Sequence, residues 1–138
     1  MSTLTVRQIA QKYNVSAHTI RFYDDEGLFP HVMRDAHGAR VFTDANLEWI
    51  YLVLCLRSTG MSVADIKNFV LLCGQGDGTM LERYRIILAQ KEKAEREMEE
   101  LQRKIAVLNK KEKYYEDALR NKGVDVCNPL VKQEQGIS

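Results

Sequence analysis

Thr5-Val6-Arg7-Gln8-Ile9-Ala10-Gln11-Lys12-Tyr13-Asn14-Val15-Ser16-Ala17-His18-Thr19-Ile20-Arg21-Phe22-Tyr23 decides the fold, because it places two helix starts on either side of one very short turn. Thr5 and Gln8 form a capping box: the hydroxyl suits one orphan amide of a helix start, and the carboxamide reaches back to another. Leu4 and Ile9 stand at the hydrophobic staple positions. Val6, Ile9, Ala10 and Tyr13 keep helical spacing until Asn14-Val15, which are too few residues to be anything but a turn. Ser16 is a good N-cap for a second helix, and Gly27 can take the left-handed conformation that ends it. Two helices so closely joined follow the helix-turn-helix plan, whose second helix enters the DNA major groove with its N-terminal residues first. Here that leading edge carries Ala17, His18 and Arg21.

Working outward, Phe29-Pro30, Arg34, Asp35-Ala36-His37-Gly38 and Arg40-Val41-Phe42 predict a short hairpin with an arginine on each arm, suited to phosphate oxygens. Thr43 and Asp44 open a third helix, apolar without interruption from Trp49 through Leu56. Such a helix is expected to be buried on several sides, between the head and whatever follows. Ser62 and Asp65 open a fourth helix as a second capping box, with Ile66, Phe69, Val70 and Cys73 on its inner face. Gly74-Gln75-Gly76-Asp77-Gly78 then breaks the chain.

Beyond that break, Thr79 and Glu82 give a third capping box, and no Gly or Pro follows until Gly123. In heptads, Met80, Tyr84, Ile87, Lys91, Ala94, Met98, Leu101, Ile105, Leu108, Glu112, Tyr115 and Leu119 fall alternately at the two seam positions. Only Lys91 and Glu112 interrupt the seam. A helix of about 60 Å cannot cover its apolar stripe with so small a head, so a partner helix is expected. The tail has no periodic pattern and reads as loose, although Val124, Val126, Leu130 and Val131 offer apolar docking points. The expected organisation is a mainly α chain: a winged helix-turn-helix head over 1–76, a coiled-coil dimerisation helix over 77–122, and a tail over 123–138.

Thr19-Ile20-Arg21-Phe22-Tyr23-Asp24, Gly27-Leu28, Pro30, Arg34, Gly38, Arg40 and Phe42 together resemble the head of the MerR family, the mercury-resistance-type bacterial regulators. Phe22 and Phe42 stand where many members carry Tyr. The resemblance implies a homodimer with antiparallel long helices, in a chain whose lack of a membrane-spanning run or signal pattern reads as cytoplasmic. It also implies binding to double-stranded DNA at promoters with an over-long spacer, untwisting and bending them for bacterial RNA polymerase. It places Ala17, His18, Arg21, Tyr23, Arg34 and Arg40 at the DNA.

Leu52-Val53-Leu54-Cys55-Leu56-Arg57 further resembles the branch that senses aldehydes and nitrosative or other electrophilic stress through one cysteine in this helix. That makes Cys55 the candidate sensor, although a free cysteine in an apolar run also reads as a small buried hydrophobe. The family's metal sensors use a cysteine at the start of the long helix and a cysteine-containing loop at its end. This chain has Thr79 and Cys127 there, which leaves one thiol for such a site.

The bulk properties are those of a soluble protein, 45% hydrophobic and 28% charged, with no apolar run of membrane-spanning length and no secretory signal pattern. Cys55, Cys73 and Cys127 are too few and too scattered for a disulfide framework or a paired zinc motif. The formal net charge is +1. The head balances Arg7, Lys12, Arg21, Arg34, Arg40, Arg57 and Lys67 against Asp24, Asp25, Glu26, Asp35, Asp44, Glu48 and Asp65. Any positive face must therefore come from arrangement rather than excess. No nucleophile has a plausible base, and neither a phosphate-cradling glycine loop nor a metal triad is visible, so no enzyme and no cofactor is expected. Two other functions remain open: a metal-responsive regulator, and an architectural DNA-binding or coiled-coil adaptor without an effector.

Overall fold

The computed structural model describes residues 2–121 and 127–134. Its elements are β1 (Leu4–Thr5), α1 (Val6–Tyr13), α2 (Ala17–Asp25), β2 (Met33–Arg34), β3 (Arg40–Phe42), α3 (Asp44–Ser58), α4 (Val63–Gly74), a 3-10 turn (Asp77–Thr79), α5 (Met80–Asn121) and α6 (Pro129–Glu134). The expected mainly α, winged helix-turn-helix architecture with a long C-terminal helix is what the chain adopts.

Local chemistry sets the first helices. The Thr5 amide donates to Gln8 Oε1 at 2.8 Å and the Gln8 amide to Thr5 Oγ1 at 3.2 Å, closing the capping box. Asn14 ends α1 in the left-handed region at φ 55°, a conformation that Asn tolerates better than most residues. Ser16 Oγ accepts from the Thr19 amide at 3.0 Å, and Gly27 follows α2 at φ 81°. The wing pairs Arg34 with Arg40 and Met33 with Val41. It gains a third strand that the sequence reading did not anticipate, since Leu4 and Thr5 pair with Phe42 and Val41 to give the order β1-β3-β2. Residues that open α1 therefore also anchor the wing.

The head core gathers Ile9, Ile20, Leu28, Phe42, Ile50, Val53 and Ile66, none of which exposes any surface. Phe29 stacks edge-on between Tyr23 and Phe42, with ring centroids 6.4 Å from each. One polar side chain is as deep: Asn46 donates to the Pro30 carbonyl at 3.0 Å and accepts from the Thr43 amide at 2.8 Å, tying the wing's entry to the start of α3.

Three expectations change. Helix α3 buries one face, through Asn46, Ile50, Val53 and Leu56, while Tyr51 and Cys55 lie exposed. An unbroken apolar run shows that no face is polar; it does not show that a single chain can cover every face. Thr79 does not cap α5. Its hydroxyl turns inward to the carbonyls of Leu72 and Gly76, at 2.7 and 2.9 Å, and Arg83 Nε donates to it at 3.1 Å. The tail is more ordered than its lack of periodicity suggested, for Asn128 Oδ1 accepts from the Leu130 amide at 2.9 Å and α6 follows. Val124 and Val126 lie outside the described residues.

The chain divides into two compact units, Met1–Ala94 and Glu95–Ser138. The first turns of α5 belong with the head because Ile86 packs on its core and Gln90 Nε2 donates to the Thr59 carbonyl at 3.0 Å. Helix α5 buries none of its residues; Met98, Leu101, Ile105, Leu108, Tyr115 and Leu119 are all exposed.

Candidate nucleic-acid interface

Helix α2 is held by its inner face. Ile20 and Tyr23 are buried, and Ala17 leans on the core, which leaves His18 and Arg21, one turn apart, facing outward. The side chains of α2 contribute to two shallow depressions. His18, Thr19, Phe22 and Tyr23 line one, together with Arg57 and Val63. Arg21 lines the other, a groove of about 330 Å³ shared with Thr5, Val6, Arg7, Arg34, Gly38, Ala39 and Arg40.

This second groove answers the charge question left by the sequence. Four of the head's seven cationic side chains (Arg7, Arg21, Arg34 and Arg40) converge on it, and no carboxylate lines it. A neutral head thus presents a cationic surface through placement alone. Guanidinium forks and a concave surface suit the oxygens of a phosphate backbone. Arg7 and Arg21 have no protein hydrogen bond or ion pair among the described residues. Arg34 donates from Nη1 to the Gly38 carbonyl at 2.8 Å, which fixes its stem along the wing turn. That turn is built by Asp35, whose Oδ1 accepts from the amides of His37 and Ala39, with Gly38 at φ 81°.

Arg40 is placed differently from a free phosphate ligand. Its Nε lies 2.6 Å from Asp24 Oδ2, its Nη2 pairs with Asp25, and its side chain keeps only 12% of its surface exposed. The hydrogen bond that Arg40 donates to Asp24 and the charge of both carboxylates raise its pKa above the ordinary arginine value, against the opposing effect of burial. Arg40 therefore clasps the wing to the end of α2. The clasp also offsets part of the charge of two carboxylates that would otherwise repel phosphates beside the groove more strongly. Tyr23 likewise belongs mostly to the core, its ring against Phe29, and it reaches the surface only where it lines the first depression.

Arg7 and Asn46 are the residues that sequence reasoning passed over. Arg7 sits in the first turn of the helix that Thr5 caps, directly behind the strand pairing that brings the wing close. The usable signal for the clasp was the Asp24-Asp25 pair itself, because two adjacent carboxylates beside a phosphate-seeking helix need a cation.

Elsewhere, Cys55 is exposed near Tyr51, whose hydroxyl pKa is raised above the ordinary tyrosine value by the neighbouring Cys55 side chain. Cys73 is half-buried, with Arg83 Nη1 3.8 Å from its sulfur. Among the described residues, no group of three or more His, Cys, Asp or Glu side chains is gathered as a metal site, and no helix is long and apolar enough to cross a membrane.

Comparison with known proteins agrees with this geometry. Residues 4–71 match the family model described as MerR HTH family regulatory protein. An uncharacterized HTH-type transcriptional regulator of Haemophilus influenzae is 42% identical over 116 residues, which is 84% of this chain and 86% of that one. The AdhR transcriptional regulator of Bacillus subtilis is 28% identical over 65% of this chain and 64% of its own. Among solved structures, HiNmlR, described as a MerR family regulator lacking the sensor domain, bound to promoter DNA, is 41% identical with a TM-score of 0.69, covering 86% of this chain and 94% of that one. A MerR family regulator from Listeria monocytogenes superposes with a TM-score of 0.73 at 27% identity. On the likeness of both the head and most of the long helix, the chain belongs to the MerR family of helix-turn-helix transcriptional regulators.

Proposed function

We propose that this MerR-type DNA-binding regulator works as a homodimer, its two heads engaging the two halves of a promoter site and distorting the DNA between them so that RNA polymerase can use it. The observation that carries this reading is the cationic groove beside α2, which pairs a protruding helix for base edges with arginines for the flanking backbone. HiNmlR, the 41% identical relative, was crystallised on promoter DNA, which supports the same use here. Selection of bound duplexes from a random pool should return a site with two-fold symmetry, and circular permutation of that site should reveal a bend on binding. Enrichment of a single half-site, or binding indifferent to sequence, would favour the architectural reading instead.

The pairing is supported by the seam of α5. In a parallel pair Lys91 would face Lys91 and Glu112 would face Glu112. An antiparallel pair with Met98 opposite Leu101 removes both conflicts: each charge lies one layer from its opposite on the other copy, and Glu97 comes beside the partner's Lys104.

For the signal, the reading is an electrophile or aldehyde acting at Cys55. Exposure of the thiol supports it, since a modifying reagent must reach the sulfur. In vitro transcription from the selected promoter should respond to a reactive aldehyde or a nitrosating donor in the wild type and stay flat in Cys55→Ser. Equal responses in the two proteins would remove Cys55 from the mechanism, and a response lost only in Cys127→Ser would move the sensor to the tail.

A further inference from the structure

The second depression beside α2 differs in character from the four-arginine groove. It holds about 250 Å³ and is lined by His18, Thr19, Phe22, Tyr23, Arg57 and Val63, and most of its floor is apolar. Tyr23 is otherwise buried, and Val63 packs on the head core. The Thr19 hydroxyl lies 2.8 Å from Ser16 Oγ, so its hydrogen bonding is met within the helix start. Phe22 is the anomaly. It is 44% exposed, one turn beyond His18 on the outward face of α2, whereas Ile20 and Tyr23 on the same helix are buried. Water and phosphate oxygens offer an uncovered phenyl ring nothing. The major groove does hold one apolar group, the C5-methyl of thymine, and a phenylalanine is among the side chains suited to it. Arg57 stands beside the ring. Its Nη1 donates to the Met61 carbonyl at 3.1 Å, which fixes the stem on the turn between α3 and α4, and it has no ion pair among the described residues.

We propose that this depression receives the C5-methyl group of a thymine in each half of the bound site, with Phe22 as the residue that selects it. The inference rests on the DNA-binding reading proposed above and adds to it a base feature that α2 recognises. The methyl projects into the major groove next to the phosphate on the 5′ side of its own nucleotide, so what arrives is an apolar group beside an anion. The depression repeats that pairing: Phe22 and Val63 give the apolar contact, and Arg57 has guanidinium donors left for the phosphate oxygen. Cytosine carries only a hydrogen at the same ring position and leaves the phenyl surface uncovered. Phe22 therefore adds sequence information on the side of α2 away from the four-arginine groove, whose contacts to the backbone carry none.

The test uses the full-length chain and the two-fold symmetric duplex returned by selection, with thymidine replaced by 2′-deoxyuridine one position at a time. The exchange removes a methyl group and keeps every hydrogen bond of the base pair. Fluorescence anisotropy should find one symmetry-related pair of positions where uracil weakens binding about fourfold in one half-site and roughly fifteenfold in both, as for one buried methyl group in each half. Phe22→Ala should bind the thymine and uracil duplexes equally at those positions, while Phe22→Leu, still apolar, should keep the preference. Both variants should melt close to the wild type, because the ring lies at the surface. Uracil tolerated at every position, or a methyl effect that persists undiminished in Phe22→Ala, would overturn the thymine contact and leave DNA binding standing. A selection that returns no preferred duplex would remove the DNA-binding reading and this inference with it.

Discussion

The head and the seam of the long helix carry the same kind of code, apolar residues at helical spacing, yet they stand in opposite conditions in one chain. In the head, Ile9, Ile20, Ile50 and Ile66 lose all their exposed surface, and no buried side-chain polar atom among the described residues lacks a partner. In α5, Met98, Leu101, Ile105 and Leu108 keep between 47% and 65% of theirs. The difference is one of geometry. Four helices and a wing can close around a core, whereas Met98, Leu101, Ile105 and Leu108 stay on an exposed stripe of the long helix. Apolar periodicity thus records what must be covered and leaves open which chain supplies the cover.

The largest effect should come from charging the seam. Leu101→Asp places a carboxylate near the dyad of each copy and should raise the dimer dissociation constant roughly thousandfold, a cost of about 4 kcal/mol. The head's own melting should hardly move, which differential scanning fluorimetry at low concentration can check. Next, one truncation made in each region separates them directly. Ile20→Ala should destabilise the head by about 2–5 kcal/mol at any concentration. Ile105→Ala should cost nothing in dilute monomer and act only where the dimer forms, as a chemical denaturation series at several protein concentrations would show.

Smaller effects refine the head. Arg40→Met should destabilise it by about 1–3 kcal/mol by stranding Asp24 and Asp25, and Asp24→Asn should recover part of that loss. Because the Arg40 guanidinium is committed to those carboxylates, the salt dependence of DNA binding should keep its slope in Arg40→Met, whereas Arg21→Ala should reduce the slope by about one. A shallower slope in Arg40→Met would return Arg40 to the phosphates. Gly38→Ala, at a wing turn with φ 81°, should cost only about 1 kcal/mol, read as a small shift in melting temperature.

Features confined to a few neighbouring residues were legible in the sequence. Thr5 with Gln8, Ser16 with Thr19, and the breaks at Asn14 and Gly27 all stand where capping and turn chemistry put them. What the sequence concealed joins residues far apart. Arg40 reaches back to Asp24, Asn46 reaches back to Pro30, and Leu4-Thr5 pairs with a strand whose partner residues only folding brings close. Thr79 shows the same limit, for its spacing to Glu82 suggested a cap, yet the carbonyls of Leu72 in α4 and Gly76 just beyond it were better partners for its hydroxyl. The groove sits between these cases. Arg21, Arg34 and Arg40 were visible as candidates, but only the fold shows that Arg7 joins them and that Arg40 is bound to carboxylates.

The claim that α5 is completed by an antiparallel second copy is tested most directly by a distance between spin labels. A single label at Leu119→Cys, in a background with the other three cysteines replaced, would be measured by double electron–electron resonance at a concentration where the dimer forms. With the dyad between Met98 and Leu101, the two labels should lie about 60 Å apart along the helices, at 1.5 Å per residue. A distance near ~10 Å, the spacing of two packed helices, would mean a parallel pair, and no dipolar signal together with a monomeric mass would mean that the seam is not covered by a second copy at all.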